Sequence, residues 1–431
     1  MPLKKIVGIF YLIYTVYILL ICWLTDVTPL YIFSGLTALW VMYGCFLLGD
    51  RAAGRWGGRG FRRWALPRRY TPEPAWTGLL WGCGIFLAAA CSVVAIHFYT
   101  GQWPVGVLDN LRSGVSNYYT YQFYFPEHGA LLSTVQRLPY ILMMAFSKFI
   151  FVTGLLYWCL LKPFTPRHLV VAVLCCLGQL YISLGRGTNF EMYELTILAV
   201  FIVLKKCRFE LSLRRFGRAA VKPLLACLCA GIVLVCVYYV VLASRHYYAN
   251  VYISQDIHYN ATSLPAQLVP ELSLLVLNLF GYLGFGLYYI SSFFNLVAAR
   301  SASTLFATLC PLGFRLLTGE STMTIMERTI DVGVMWHADF VNFINTLGLP
   351  GTLALIALLG FLAGRLERGR CSVWSGMAGY FLLLQMLAFP VGNFVLASSA
   401  NILLIGLSAV MLLLQPADRS ADPIKEGNQY S

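Results

Sequence analysis

The sequence predicts an all-α, polytopic integral membrane protein with about 10–12 transmembrane helices. Of its residues, 59% are hydrophobic and 11% are charged, whereas soluble domains carry about 25% charged residues. Runs of about 20 apolar residues recur along the chain, and each is long enough to cross a hydrocarbon core of roughly 30 Å as a helix. All but eight of the 31 Lys and Arg fall between these runs on one side, as cytoplasmic loops do. The net charge of +13 therefore indicates topology rather than nucleic-acid binding.

The first 243 residues are predicted to form an N-terminal membrane bundle of about seven helices. The linker 49–75 contains seven arginines and is therefore assigned to the cytoplasm together with the N-terminus. An outer loop at 99–138 is rich in aromatic and polar residues. The predicted spans of this bundle are 6–24, 31–48, 76–98, 139–161, 169–184, 190–204 and 224–243.

Residues 244–348 form the predicted periplasmic loop, which is the most polar long stretch of the chain. Its two apolar parts, 272–297 and 305–317, are either two further spans or a hairpin that dips into the outer leaflet. Three more helices complete a C-terminal membrane segment at 349–414, and a polar cytoplasmic tail follows at 415–431.

Eight basic residues depart from the positive-inside pattern, and intramembrane or cavity charges of this kind are candidates for function. An Arg side chain stays charged and presents a planar fork of donors that suits phosphate oxygens. Several such residues at the outer face indicate an anionic head group whose tail lies in lipid, as in a lipid diphosphate. The eight are Arg112, Arg137, Lys148, Arg186, Arg245, Arg300, Arg315 and Arg328.

Three of these basic residues are the sharpest candidates, and each has a structural alternative. Arg186 lies in a Gly-Arg-Gly turn, where glycine lets the backbone approach a ligand closely; the alternative is an ion pair with Glu191 or Glu194. For Arg245, directly after a span, the alternative is contact with lipid headgroups. For Lys148, inside a span, the alternatives are snorkelling or a buried pair with Glu194.

A second group of candidates, on the long loop, could accept a proton. An imidazole can accept a proton near neutral pH, and His337 has Asp339 close in sequence, although a lone loop histidine is more often without a catalytic role. Glu320, Glu327 and Asp331 are the other candidate bases. No metal site is predicted, because the histidines lack ligand spacing and the 13 cysteines form no CxxC pair. Tyrosines of the outer loops, including Tyr247 and Tyr248, would either stack on sugars or form an interfacial belt.

Three blocks of sequence together resemble the O-antigen polymerase family, the oligosaccharide repeat-unit polymerases. The first is the segment Leu-Tyr-Ile-Ser-Leu-Gly-Arg-Gly-Thr-Asn that ends at Asn189, and the second is the Ser-Arg pair that ends at Arg245. The third begins with His-Ala-Asp-Phe-Val-Asn at His337 and continues to Leu-Gly-Leu-Pro-Gly at Gly351. The similarity covers roughly residues 170–370, and the N-terminal third resembles the family in hydropathy alone.

The resemblance implies a GT-C-like glycosyltransferase of the bacterial inner membrane, with both termini cytoplasmic and a periplasmic active site. Its donor and acceptor would be undecaprenyl-diphosphate-linked oligosaccharides. No cofactor or nucleic acid is implied, and the expected partners are membrane lipids and a chain-length-regulating co-polymerase. By position, Arg186 and Arg245 would bind the donor diphosphate, and His337 lies near the functional histidine of the related O-antigen ligases. From the residues themselves, His337, Asp339, Glu320 and Glu327 are the predicted catalytic residues. The other predicted substrate-binding residues are Asn189, Arg315, Arg328, Lys148, Tyr247 and Tyr248.

Other functions remain open at the level of sequence. The related O-antigen ligases transfer finished glycan to the lipid A core. The same pattern of arginines that would bind a lipid diphosphate fits them as well. A flippase or other transporter of lipid-linked oligosaccharide is the alternative from another class, although we detect no internal repeat of the kind that transporters often carry. A structural scaffold is the third alternative function, and a scaffold would not require unpaired arginines at the outer face.

Overall fold

The computed structural model describes residues 2–56, 75–113, 115–162, 165–188, 190–211, 252–254, 257–298, 302–329, 337–368 and 372–414. Within these ranges the chain is almost entirely helical, apart from one short antiparallel hairpin, β1 (Tyr252–Ser254) and β2 (Ile257–His258). Three single π-helical turns, Phe125–Gly129, Leu156–Leu161 and Phe293–Ala298, follow α5, α6 and α11. The helices are α1 (Leu3–Leu24), α2 (Pro29–Trp56), α3 (Ala75–Thr100), α4 (Pro104–Ser113), α5 (Asn117–Tyr124), α6 (Thr134–Leu155), α7 (Pro166–Arg186), α8 (Phe190–Leu211), α9 (Leu264–Leu268), α10 (Pro270–Leu283), α11 (Phe285–Ser292), α12 (Ala302–Leu309), α13 (Pro311–Thr318), α14 (Thr322–Thr329), α15 (Asp339–Arg368), α16 (Val373–Ala388), α17 (Phe394–Ala397) and α18 (Ser399–Leu414).

Six described helices are long and apolar enough to cross a membrane, which confirms the prediction of an all-α polytopic membrane protein. They comprise α1, α2, α3, α6 with its π-helical extension, α7 and α15. The apolar helices α16 and α18 have 16 residues each, fewer than the about 20 that a straight span needs. The span predicted at 224–243 lies outside the described residues.

Helices α2 and α15 pack closely along their lengths, because glycines at their interface let the two backbones approach. A Cβ atom at Gly49 would overlap the carbonyl oxygen of Ala357, and one at Gly360 would overlap that of Phe46. Helix α15 breaks at Gly348 (φ 74°, ψ 165°), a left-handed conformation that glycine adopts readily. The sequence places the start of the C-terminal membrane segment at this same break.

Helices α10 and α11 form a bent pair whose two ends lie at the α1–α2 turn. Before α10, the Asn260 N–H donates to the Leu24 carbonyl oxygen (2.9 Å). After α11, the Asn295 Nδ2 donates to the Tyr31 carbonyl oxygen (2.9 Å). Between these contacts the chain bends by 56° near Gly284. The segment therefore enters and leaves at one end of α1 and α2.

In the long loop, the first apolar part thus forms a bent pair of helices, and the choice between two further spans and a hairpin stays a prediction. The second apolar part, 305–317, is divided between α12 and α13, which have eight residues each. A helix of that length rises about 12 Å, well short of the hydrocarbon core. Helix α11 is nevertheless fully buried, since all eight of its residues are buried.

Candidate functional site

The first predicted group of residues is centred on Arg186, the last residue of α7. Its Nη1 forms an ion pair with Glu191 Oε1 at the start of α8 (2.9 Å). The other oxygen of that carboxylate, Oε2, accepts a hydrogen bond from the Thr188 hydroxyl (2.6 Å). The ion pair with Glu191, which the sequence left open as an alternative, is therefore present. It occupies Nη1 and leaves the buried Nε of Arg186 without a hydrogen-bond partner among the described residues.

Aromatic rings surround the same guanidinium group. Its central carbon lies 5.1 Å from the ring centre of Tyr121 and 5.5 Å from that of Tyr99. Phe125 extends the cluster, with its ring centre 5.2 Å from Tyr99 and 5.8 Å from Tyr121. The Arg186 side chain remains 23% exposed. The site thus combines a held, partly accessible cation with aromatic faces, the two elements that anion and sugar recognition use.

The outer loop adopts the short helices α4 and α5, and these bring Tyr121 to Arg186. Asn117, at the start of α5, donates from Nδ2 to the Leu184 carbonyl oxygen of α7 (3.0 Å) and accepts from Asn110 Nδ2 of α4 (2.8 Å). Gly187 caps α7 in a left-handed conformation (φ 61°), and a Cβ there would overlap the backbone N of Tyr118. The glycine after Arg186 therefore permits the approach of α5, whereas the sequence interpretation assigned it to the approach of a ligand.

Lys148 belongs to a separate, closed group inside the bundle. It forms a salt bridge with Glu194, and the two side chains are 4% and 1% exposed. Glu194 Oε1 also accepts a hydrogen bond from Asn401 Nδ2 (2.7 Å), and the Lys148 Nζ lies 4.9 Å from the ring centre of Phe190. The buried pair named as an alternative for Lys148 is thus present, and it joins α6, α8 and α18.

The candidate bases of the long loop lie apart from one another. His337 stacks on the buried ring of Tyr289, with 5.2 Å between ring centres and 17° between planes. The Asp339 carboxylate is buried at the start of α15 and accepts a hydrogen bond from Gln385 Nε2 of α16 (2.5 Å). Among the described residues, Asp339 makes no hydrogen bond to His337. Asp339 is therefore positioned by α16, and a role in orienting the imidazole stays a prediction.

Glu320 and Arg328 pair with each other on the surface of the loop. The Arg328 Nη1 donates to Glu320 Oε1 at 2.7 Å, and the two side chains are 65% and 42% exposed. Arg315 lies exposed on α13. These three residues do not join Arg186: within the described ranges, no hydrogen bond, ion pair or ring contact connects the loop to the Arg186 group.

Several predicted residues cannot be placed against this geometry. Asn189, Arg245, Tyr247, Tyr248 and Asp331 lie outside the described residues, and so does the side chain of Glu327. Their assigned roles stay predictions. In the described part of the chain, no cluster of three or more His, Cys, Asp or Glu side chains could hold a metal ion.

Sequence reasoning did not single out Tyr99 or Tyr121, both of which fell within the aromatic-rich outer loop 99–138. Tyr99 lies at the end of a span and Tyr121 in the following loop, so no spacing rule relates either residue to Arg186. The available signal was the density of tyrosine in the outer loop, which an interfacial belt produces equally well.

No known family model, curated protein or solved structure matches this chain.

Proposed function

We propose that the protein is a membrane glycosyltransferase of GT-C-like architecture that polymerises undecaprenyl-diphosphate-linked oligosaccharide repeat units. The observation that carries this proposal is Arg186, which is held at the end of a span by Glu191 and flanked by Tyr99 and Tyr121. A lipid-linked sugar diphosphate has an apolar tail, an anionic linkage and a sugar. Lipid beside the span, a guanidinium group and aromatic rings complement these three parts in turn.

The charge distribution favours a periplasmic site in the bacterial inner membrane. The arginine-rich linker 49–75 includes the last residues of α2, up to Trp56, and leads to the start of α3. Arg186 lies at the end of α7, in the group that includes Tyr99 at the other end of α3. If that linker is cytoplasmic, as its charge indicates, the Arg186 group faces the periplasm. Both termini would then be cytoplasmic, and the total of about 10–12 spans is part of this proposal.

The proposed reaction transfers the growing glycan from its lipid diphosphate to the outermost sugar of a new repeat unit. The acceptor hydroxyl attacks the anomeric carbon, a new C–O bond forms, and the bond to the diphosphate breaks with its electron pair on phosphate oxygen. His337 would accept the hydroxyl proton, with Glu320, Glu327, Asp331 and Asp339 as the other candidate bases. Arginine would stabilise the departing diphosphate, so that no protonating acid is needed.

The test is the activity of Arg186 variants on lipid-linked repeat units. Loss of one charge-assisted contact to phosphate costs on the order of 2–3 kcal/mol, so Arg186→Ala should lower polymer formation by a factor of roughly 30–150. Arg186→Lys should recover little, because an ammonium group does not reproduce the planar fork. The matched control is Arg167→Ala, because Arg167 is an exposed arginine at the opposite end of α7.

The measurement is the ladder of polymer lengths made by purified protein in nanodiscs. Full activity of Arg186→Ala would refute the proposal. Parallel incubation with lipid A core distinguishes the ligase, since glycan attached to lipid A in place of polymer identifies that activity.

Transport of a lipid-linked oligosaccharide is the second candidate function, favoured by the buried Lys148–Glu194 pair and the bent pair of helices α10 and α11. Transporters often place charged pairs and broken helices within the membrane. Movement of a fluorescent lipid-linked oligosaccharide across liposomes that contain the protein, without polymer formation, would establish transport instead.

A further inference from the structure

We infer that Arg137 is a second anion-binding residue of the Arg186 site and supplies the net positive charge of that site. This inference rests on the proposed function, because it specifies how a lipid-linked diphosphate would be held. It concerns a residue on α6, far in sequence from Arg186 on α7.

Packing between α3 and α6 brings Arg137 to the Arg186 site. Arg137 lies in the first turn of α6, and Tyr140, three residues later, stacks on Phe98 of α3 with 3.8 Å between ring centres and 4° between planes. The next residue of α3 is Tyr99, which flanks Arg186. Phe98 also contacts Phe125 of the aromatic cluster, with 6.1 Å between ring centres. The helical turn that carries Arg137 therefore lies against the aromatic rings that surround Arg186.

The two arginines differ in whether a carboxylate neutralises the charge of the guanidinium group. Arg186 is paired with Glu191 at 2.9 Å. Arg137 makes no ion pair within the described ranges, and its Nε is buried without a hydrogen-bond partner there. The Arg186–Glu191 pair is neutral overall, so the attraction that the site exerts on an anion comes mainly from Arg137. Arg186 contributes a fixed donor, whereas Arg137 contributes uncompensated charge.

This arrangement indicates the chemistry of the ligand. Two buried Nε–H groups without partners require acceptors, and phosphate oxygens are strong acceptors of charge-assisted hydrogen bonds. Two separate guanidinium groups suit a diphosphate, whose two phosphoryl groups can each take one donor. A phospholipid headgroup offers a single phosphate and less negative charge. We therefore expect the site to prefer a diphosphate over an anionic phospholipid.

The experiment measures the binding of farnesyl diphosphate to the full-length protein in nanodiscs. Loss of a charge-assisted contact predicts that Arg137→Gln binds about 30-fold more weakly or worse. It also predicts a flatter dependence of the affinity on salt, because the uncompensated charge is gone. Arg137→Lys keeps the charge and should show intermediate affinity. Arg167→Gln, which removes an exposed charge at the end of α7 opposite to Arg186, should bind as the wild type does.

Thermal stability is measured for every variant, so that a loss of folding is not counted as a loss of affinity. If Arg137→Gln does not fold, the affinity of Arg137→Lys and the salt dependence of the wild type test the role of Arg137.

Competition separates the possible sources of the anion. Inorganic pyrophosphate should displace the probe, whereas phosphatidylglycerol at equal concentration should not. Equal displacement by phosphatidylglycerol would overturn the diphosphate preference.

The remaining outcomes separate this inference from the proposed function. If Arg137→Gln binds farnesyl diphosphate as tightly as the wild type while Arg186→Ala loses binding, the role of Arg137 is wrong and the proposed function stands. If the wild-type protein neither binds the probe nor forms polymer, both fail.

Discussion

Replacement of Lys148 by methionine should strongly destabilise the protein, because it leaves the carboxylate of Glu194 buried without its cation. Both side chains lie almost entirely inside the bundle, at 4% and 1% exposure. Asn401 would remain as a hydrogen-bond donor to Glu194 (2.7 Å), but an amide does not neutralise a charge. Breaking a buried ion pair costs about 3–5 kcal/mol. We expect a loss of that size in the free energy of unfolding of Lys148→Met.

The double variant Lys148→Met with Glu194→Gln should recover most of this loss. The Gln oxygen can still accept from Asn401, and no buried charge remains, so stability should return to within about 1–2 kcal/mol of the wild type. The measurement is unfolding by SDS in mixed micelles, with all four members of the double-mutant cycle. The exposed Glu320–Arg328 pair provides the control, since its cycle should give at most about 1 kcal/mol.

Two results would refute this reasoning. If Lys148→Met is as stable as the wild type, the carboxylate of Glu194 is not buried as the structure places it. If the double variant is no more stable than the single one, the loss arises from packing around Phe190 rather than from the unpaired charge. A loss of activity without loss of stability in Lys148→Met would instead support its assignment as a substrate-binding residue.

Three further predictions address docking, packing and catalysis. Gly187→Ala should weaken the docking of α5, because its Cβ would overlap the Tyr118 backbone and φ is positive; faster proteolysis of 104–124 than in the wild type is the measure, and an unchanged pattern would contradict it. Gly360→Val should lower thermal stability by separating α15 from Phe46 of α2, and an unaltered melting temperature would exclude backbone contact there. His337→Ala should reduce polymer formation by about 10²–10⁴-fold while farnesyl diphosphate still binds; normal turnover would assign the proton to a carboxylate or to water.

The sequence by itself determined the class of the protein. Apolar length and the scarcity of charge are properties of single segments, and a segment of about 20 apolar residues becomes a helix in lipid whatever its neighbours are. The candidate status of Arg186 and Lys148 was visible for the same reason, since a charge within an apolar run is conspicuous without any structure. The role of His337 as the catalytic base remains a prediction from sequence, because proximity in sequence to Asp339 does not create a hydrogen bond.

Only the tertiary structure decided which partner each charge has. From the sequence, either Glu191 or Glu194 could pair with Arg186. In the folded chain, Glu191 forms an ion pair with Arg186, and Glu194 forms one with Lys148. The residues are three apart on α8, and the choice depends on how α6, α7 and α8 are rotated about their axes. Likewise, contacts at the α1–α2 turn show that the bent pair of α10 and α11 begins and ends at one end of α1 and α2, which its hydropathy does not reveal. Hydropathy reports how well a segment partitions into lipid, whereas pairing and the placement of helix ends depend on contacts between segments distant in sequence.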